Sequence, residues 1–242
     1  MSHQGVATLS LQAHDLASSD SDSKRKKMAN LFLLDIDGAL VDSKHLELDC
    51  YVKAVNEVLD IKMDTDLTQY ANLTDAGILD ELIAKHGITS SRSVLHRKVE
   101  RRYFKLIQEE IKHHPELISE TKGAGEFLRK VGKQPDTHIA IATSGWESTA
   151  KLRLRAAGLD IGNVTFASSS DALSRTEIMA LAAFRAKQDA GVAFERRVVF
   201  ANGDRNKYAS QELGYDFVEV GKVSGHHTHI PSLAHYKAVF TR

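Results

Sequence analysis

The sequence predicts an α/β protein, a doubly wound parallel sheet with a small all-helical segment inserted after the first strand. Short apolar runs alternate with amphipathic stretches over most of the 242 residues, which is typical of a parallel sheet covered by helices on both faces. The run LFLLDID at 31–37 is apolar until it ends in carboxylates, as expected of a fully buried first strand. Only helical patterns occur between 47 and 114, and strand–helix alternation resumes after Pro115.

The alternation after Pro115 supplies the remaining elements. Strands are predicted at THIAIATSG, NVTFASS, RRVVFANG and DFVEVG, and helices at GAGEFLRKVG, WESTAKLRLRAAGL and RTEIMALAAFRAKQDAG, with YASQELG as the end of a further helix. Residues 28–46 and 115–242 are therefore predicted to form the core, and residues 47–114 a helical cap. The run SSDSDSKRKK is polar and has no apolar period, so residues 1–27 are predicted to be a disordered N-terminal extension.

Composition excludes several classes of protein. The 32 basic residues balance 32 acidic ones, so no broad positive field favours binding to nucleic acid. No stretch of about 18 apolar residues is present, so no membrane span is predicted. The single cysteine, Cys50, excludes an intramolecular disulfide framework and fits a reducing compartment, and the expected location is the cytoplasm.

Polar residues follow four of the predicted strands. Ligands of open α/β sheets bind outside the carboxyl ends of the strands, so these residues are expected to share one site. In chain order they are Asp35 and Asp37, Thr143 and Ser144, Asp171 and Arg175, and Asn202 and Asp204. Such a set suits an anionic, metal-bound substrate.

Asp35 and Asp37 suggest the chemistry of this site. Two residues apart on an extended strand end, their side chains leave on the same side, and the break at Gly38 lets them diverge. Asp35 can then attack as a nucleophile while Asp37 moves a proton. A metal ion is expected as well, because an anionic phosphoryl group has to approach an anionic carboxylate.

The stretch LFLLDIDGALVDS resembles the first motif of the haloacid dehalogenase superfamily, usually D-x-D-G-T-L-x-D-S. Similar motifs follow in the same order. Thr143 resembles the Ser/Thr of the second motif, and SSSDALSRTEIMALA resembles the third motif, with Arg175 in the place of the customary Lys. The resemblance covers nearly all of 30–222. It implies a Rossmann-like core, with the helical segment in the position of the family's small cap.

The resemblance also implies a role for each site residue. Thr143, Ser144 and Arg175 are expected to hold the phosphoryl oxygens. Mg²⁺ is the expected cofactor, held by Asp35, the backbone carbonyl of Asp37 and a residue of the fourth motif. The implied activity is a metal-dependent phosphatase that acts on a small phosphorylated metabolite through an aspartyl-phosphate.

The fourth motif departs from the family pattern, which is commonly G-D-x-x-x-D-x-x-A-A-x-x-L-G. When the motif is aligned without a gap on the Leu-Gly pair at 213–214, its two acidic positions fall on Asn202 and Asn206. The alternative alignment shortens the loop and takes Gly203 and Asp204 as the conserved pair, so Asp204 is a second candidate metal ligand.

These departures leave a second hypothesis open. An asparagine brings no charge to a metal, and Ala39 replaces a threonine whose hydroxyl normally braces the first-motif loop. The alternative is therefore a catalytically weakened or inactive relative that binds a phosphorylated ligand or a partner.

Asp37 favours hydrolysis of a phosphate ester, or the phosphoryl transfer of a sugar phosphomutase, over dehalogenation, because alkoxide leaving groups need an acid.

Two further residues lie outside these motifs. Asp75 stands just before a predicted helix and is expected first as its N-terminal cap. In similar proteins the loop of the cap contacts the substrate, so a specificity role for Asp75 is the alternative. Trp146 follows the second-motif loop and is predicted either to line the mouth of the pocket or to cap the next helix. The sequence does not predict an oligomeric state.

Overall fold

A computed structural model describes residues 29–43, 46–221 and 228–239. The extension predicted to be disordered, 1–27, lies outside these described residues. Within them, no helix combines the length and the apolar character that crossing a membrane requires.

Strands and helices alternate after Pro115 as the sequence predicts. The bounds are β1 Ala29–Leu34, β2 Val41–Asp42, α1 Leu46–Leu59, α2 Asp75–Lys85, α3 Arg92–His113, β3 Ser119–Glu120, α4 Ala124–Val131, β4 Thr137–Ala142, α5 Glu147–Ala156, β5 Thr165–Ala167, α6 Arg175–Ala190, β6 Phe194–Ala201, α7 Asp204–Glu212, β7 Asp216–Val220 and β8 His229–Ile230. The short strands β2, β3 and β8 have two residues each, too few to leave a periodic pattern in the sequence.

Six strands form one sheet in the order β5-β4-β1-β6-β7-β8. Every pairing in it is parallel. β1 lies at the centre, between β4 and β6. The predicted fold class, a parallel α/β sheet, is confirmed.

The side chains of β1 alternate between two apolar cores, one on each face of the sheet. Phe32 and Leu34 belong to the core that α4 and α5 cover, whereas Leu31 and Leu33 belong to the core that α6 and α7 cover. Successive side chains of a strand point to opposite faces, so an unbroken apolar run needs helices on both sides. This is the doubly wound arrangement that the apolar strand predicts.

The start of α6 is fixed by a capping box. The Ser174 hydroxyl accepts the backbone N–H of Glu177 at 3.2 Å, and the Glu177 carboxylate accepts the backbone N–H of Ser174 at 3.2 Å. Such a reciprocal pair satisfies two donors at the helix end. Arg175 is therefore held in the first turn of α6.

Helices α1, α2 and α3, called the helical insert below, lie between β2 and β3. These two strands pair antiparallel, Val41 with Glu120 and Asp42 with Ser119. The chain therefore leaves the core for the insert and returns to it at one place.

The helical insert contacts the core through Thr74 and Asp75. The Thr74 hydroxyl donates to the Leu173 carbonyl at 2.6 Å, and the Asp75 backbone N–H donates to the Ser144 carbonyl at 2.9 Å. Thr74 is also the N-cap of α2, since its hydroxyl accepts the N–H of Gly77 at 3.0 Å. The prediction that Asp75 caps this helix is wrong by one residue, because the Asp75 carboxylate is turned toward the core.

Trp146 is enclosed by the helical insert and is 2% exposed. Its ring centroid lies 5.8 Å from that of Tyr51, 6.1 Å from that of Tyr103 and 6.3 Å from that of His96. Trp146 occupies the N-cap position of α5, one of its two predicted places, but its side chain makes no cap hydrogen bond. The other prediction, a place at the mouth of a pocket, is wrong because this cluster buries the indole.

Candidate active site

Three of the predicted site residues lie at one edge of the sheet. Asp35, Thr143 and Asn202 are the first residues after β1, β4 and β6, which are neighbouring parallel strands. The carboxyl ends of parallel strands meet at the same edge, where α/β proteins bind their ligands.

Asp35 is the centre of the site and is 5% exposed. Its Oδ1 accepts the backbone N–H of Ile36 at 2.9 Å and lies 3.0 Å from Nη2 of Arg175. Its Oδ2 accepts from the amide nitrogen of Asn206 at 3.0 Å. The structure thus brings Arg175, at the start of α6, to the carboxylate predicted to be the nucleophile.

Asn206 connects this carboxylate to Arg175. Its Oδ1 accepts from Nε of Arg175, and its Nδ2 donates to the Asn202 carbonyl at 2.7 Å as well as to Asp35. These three bonds fix the amide orientation, because exchanging its oxygen and nitrogen would lose all of them. Sequence reasoning reached Asn206 only as a neutral position of the fourth motif and did not include it in the site.

The pKa of Asp35 reflects its burial. Burial raises the pKa above the usual range of an aspartate, the Arg175 guanidinium opposes the rise, and the nearby Asp37 carboxylate adds to it. A carboxylate in such a place is poorly solvated, and a group that is only weakly solvated before attack is the better nucleophile.

Asp37 is held by a second arginine that sequence reasoning missed. Nη1 of Arg153 on α5 contacts Oδ1 of Asp37 and lies 2.6 Å from Oε1 of Glu47, in the first turn of α1. The Arg153 side chain is 1% exposed, whereas that of Asp37 is 32% exposed. Arg153 therefore links the predicted acid–base residue of the core to the helical insert.

Several carboxyl groups surround the single guanidinium group of Arg153. Burial raises the pKa of Glu47 to about 8, the Asp37 carboxylate adds to the rise, and Arg153 opposes it. Burial also raises the pKa of Asp75 to about 7, against the effects of the Trp146 N–H and of Arg153. Near neutral pH this cluster therefore retains protons that exposed carboxylates would have lost.

Asp75, predicted as a cap or a specificity residue, lies inside the contact between the insert and the core. Its Oδ2 accepts the backbone N–H of Trp146 at 2.9 Å, and its own carbonyl accepts from the hydroxyl of Tyr51 at 2.6 Å. In this arrangement Asp75 fastens the insert to the second-motif loop. Its role in specificity stays a prediction.

Thr143 and Ser144 occupy different environments in the second-motif loop. Thr143 is fully buried, and its hydroxyl accepts the N–H of Gly145 at 3.3 Å. Ser144 lines a cavity of about 400 Å³ that also reaches Arg175 and Asn206. Residues 71–73, which precede α2, also line this cavity.

The two candidate fourth-motif residues are both exposed. Asn202 lies beside the first-motif loop, where a Cβ added to Gly38 would come within 3.5 Å of its amide nitrogen. Asp204 begins α7. Asn206 lies in the first turn of α7 and reaches Asp35 directly. This arrangement fits the ungapped alignment, in which the two asparagines take the acidic positions.

The first-motif loop is braced although Ala39 has no hydroxyl. Thr121, just after β3, donates from its hydroxyl to the Ala39 carbonyl. Backbone bonds from Leu40 and Val41 to the Ile36 carbonyl, both at 2.9 Å, close the turn. The loop is therefore held by a hydroxyl group from a residue on the other side of the insert.

Together the fold and this site define a Rossmann-like α/β protein with a buried aspartate at the carboxyl edge of its sheet and helices inserted after the first strand. A family model described as haloacid dehalogenase-like hydrolase matches residues 32–175, and the chain belongs to that family. No curated protein is similar enough in sequence to match.

Solved structures agree with this assignment at the level of the fold. A hydrolase from Pseudomonas syringae has a TM-score of 0.64 at 18% identity, covering 86% of this chain and 98% of its own. CbbY from Rhodobacter sphaeroides, solved in complex with phosphate, has a TM-score of 0.61 at 18% identity, covering 86% and 96%. A β-phosphoglucomutase from Clostridium difficile has a TM-score of 0.62 at 15% identity, covering 89% and 100%.

Haloacid dehalogenase-like hydrolases generally use Mg²⁺, but the residues around Asp35 do not form a conventional site for it. Both oxygens of Asp35 already face N–H groups, and the Asp37 carboxylate faces Arg153. Asn206 presents its amide nitrogen, not its oxygen, to Asp35. Among the described residues, no three His, Cys, Asp or Glu side chains are placed to share a metal ion. Mg²⁺ is a hard cation that prefers anionic oxygen ligands, and this donor set offers it few.

Proposed function

We propose that the chain hydrolyses phosphate monoesters of small metabolites, with Asp35 as the nucleophile. The observation that supports this most directly is the convergence on Asp35 of Arg175 and Asn206, each at 3.0 Å from one carboxylate oxygen. A fixed guanidinium beside a buried carboxylate lowers the electrostatic cost of bringing a phosphoryl group to it.

In the first half of the reaction an oxygen of Asp35 attacks phosphorus and the bond from phosphorus to the leaving oxygen breaks. Asp37 gives a proton to that oxygen, so the product leaves as an alcohol. Arg175, with Thr143 and Ser144, binds the phosphoryl oxygens. The product of this half-reaction is a phosphoryl group on Asp35.

In the second half Asp37, now a carboxylate, removes a proton from water. The water oxygen attacks phosphorus, the bond to Asp35 breaks, and inorganic phosphate leaves. Asp35 and the proton on Asp37 are both restored. Each aspartate thus has one role in both halves, as a phosphoryl carrier and as a proton carrier.

The helical insert acts as the cap of this site. Because Asp35 is almost fully buried, opening the contacts of Thr74 and Asp75 with the core would give a phosphate ester more room than the cavity of about 400 Å³ provides. Their closure then excludes water from the first half-reaction.

The test is hydrolysis of p-nitrophenyl phosphate by the full chain, with and without millimolar Mg²⁺. Asp35→Asn should lower turnover by about a thousandfold or more, because it removes the attacking group. Glu195→Gln, an exposed change at the start of β6 and thus at the opposite edge of the sheet, should leave turnover unchanged. Equal turnover by the wild type and Asp35→Asn contradicts the proposal.

A binding protein without turnover is the second candidate. Two observations favour it: Asn202 and Asn206 are neutral where the family pattern has acids, and Arg153 occupies the Asp37 carboxylate. A folded chain that binds phosphate but hydrolyses neither p-nitrophenyl phosphate nor acetyl phosphate, at any Mg²⁺ concentration, decides for this candidate. Interconversion of sugar phosphates without release of phosphate would instead indicate a phosphomutase.

A further inference from the structure

Arg175 places a fixed positive charge at the point where phosphate is proposed to bind. Its side chain is 11% exposed, and Nη2 lies 3.0 Å from Oδ1 of Asp35, an ion-pair contact without hydrogen-bond geometry. Nη1 is buried and has no hydrogen-bond partner among the described residues. A buried donor without an acceptor costs about 1–3 kcal/mol, so Nη1 is a group that a ligand oxygen would satisfy.

Asn206 keeps this charge in place. Its carbonyl oxygen accepts from Nε of Arg175, and its amide nitrogen donates to Oδ2 of Asp35. The amide therefore does two things that an aspartate at the same position could not do together. It orients the guanidinium, and it donates a hydrogen bond to the nucleophile without adding negative charge.

A path from solvent leads to this pair. The cavity of about 400 Å³ that Arg175 and Asn206 line is also lined by Ser144 and by a second arginine, Arg205. Arg205 is held against the insert by the Ala71 carbonyl, 3.2 Å from its Nη1. Glu212 is the one acidic side chain among the lining residues, and its carboxylate accepts from the hydroxyl of Thr176 at 2.8 Å. Two arginines and one glutamate are the charged residues of this lining, so its net charge is positive, which suits an anion.

We propose that Arg175, oriented by Asn206, performs the work that a divalent cation would otherwise perform beside Asp35, so that the chain binds a phosphoryl group without a metal ion. This inference rests on the proposed function only in taking phosphate as the ligand. A guanidinium carries the positive charge and several donors in a fixed plane, and it pairs with phosphate oxygens two at a time. The step is binding alone, with no bond made or broken.

The experiment is calorimetric titration of the full chain with inorganic phosphate, once in EDTA and once in millimolar Mg²⁺. The expected dissociation constants agree within about twofold, because the metal adds no ligand that the site can use. Binding that occurs only with Mg²⁺ overturns the proposal, and so does the absence of binding under both conditions.

Substitutions test whether Arg175 and Asn206 are responsible for phosphate binding without a metal ion. Arg175→Met should weaken phosphate binding in EDTA at least about tenfold, whereas Lys187→Met, which removes an exposed cation from the last turn of the same helix, should not change it. The double variant Asn202→Asp with Asn206→Asp should make phosphate binding depend on Mg²⁺, since it restores carboxylates to both fourth-motif positions. A double variant that binds as the wild type does in EDTA contradicts the role of Asn206.

These results are separable from those of the proposed function. Hydrolysis together with phosphate binding that occurs only in Mg²⁺ would support the phosphatase and refute binding without metal. Phosphate binding in EDTA without hydrolysis would support this inference and refute the phosphatase.

Discussion

Arg153 offers the sharpest test of how the core and the helical insert are joined. Arg153→Met removes the guanidinium that contacts both Asp37 and Glu47 and leaves these two carboxyl groups, whose side chains are 32% and 26% exposed, without their cation. Because both carboxyl groups are partly exposed to water, the loss in the free energy of unfolding should be about 2–3 kcal/mol, as for a hydrogen bond to a charged group. For a chain of this length, with a urea dependence of about 3 kcal/mol per molar, the unfolding midpoint should fall by about 0.5–1 M.

The assay is urea unfolding followed by circular dichroism near pH 7. Arg155→Met is the matched control, because Arg155 lies on the same helix and is exposed, so its loss should change the free energy by no more than about 0.5 kcal/mol. Adding Asp37→Asn to Arg153→Met should restore part of the loss, since the unpaired charge of Asp37 is then gone. If Arg153→Met unfolds at the same urea concentration as Arg155→Met, the assignment of a buried charge link is refuted.

Three further outcomes follow from the site. Asp75 has a folded-state pKa of about 7, so between about pH 4 and 7 the folded chain holds a proton that the unfolded chain has lost. This group therefore makes the free energy of unfolding fall as pH rises through that window. In paired urea titrations, Asp75→Asn should gain stability relative to the wild type between pH 5 and 7.5, and a difference that does not change with pH contradicts the assignment. Thr74→Val removes the α2 cap and the bond to the Leu173 carbonyl, and it should lower the free energy of unfolding by about 1–2 kcal/mol in thermal unfolding. Thr74→Ser keeps the hydroxyl and should lower it much less. Equal losses of stability in the two variants would argue against the cap. If hydrolysis is observed, Asp37→Asn should slow alkyl phosphates by about a hundredfold or more and p-nitrophenyl phosphate by less, because nitrophenolate leaves without a proton; equal slowing of both contradicts Asp37 as the acid.

Much of the fold was predictable because it depends on local patterns. The apolar run before Asp35 required helices on both faces, and the order of strands and helices after Pro115 implied a parallel sheet. The rule that ligands bind at the carboxyl ends of parallel strands then placed Asp35, Thr143 and Asn202 at one edge. None of these steps needed a contact between distant residues.

The contacts made by Arg153 could not be predicted in this way. Arg153 lies in the same predicted helix as Arg155, and the local sequence pattern does not indicate which of the two arginines is buried. Its burial depends on Asp37, far away in the chain, and on Glu47, in the first turn of the insert. A buried arginine is stabilised by its partners, and the partners are known only when the chain is folded.

Asn206 is an intermediate case. The ungapped alignment of the fourth motif picks it out, but the alignment treats it as a lost acid. The structure shows what the amide does instead, which is to accept from Arg175 and donate to Asp35. A carboxylate could only accept, so the function of this residue follows from its hydrogen-bond inventory once the neighbours are known.

The central claim is that Asp35 carries the phosphoryl group, and mass spectrometry of the acid-quenched reaction tests it most directly. The chain is mixed with acetyl phosphate, quenched within the first turnover and digested. The expected result is one phosphoryl mass added to the peptide that contains Asp35, and its disappearance in Asp35→Asn. Release of phosphate by the wild type with no phosphoryl mass on that peptide would contradict the claim.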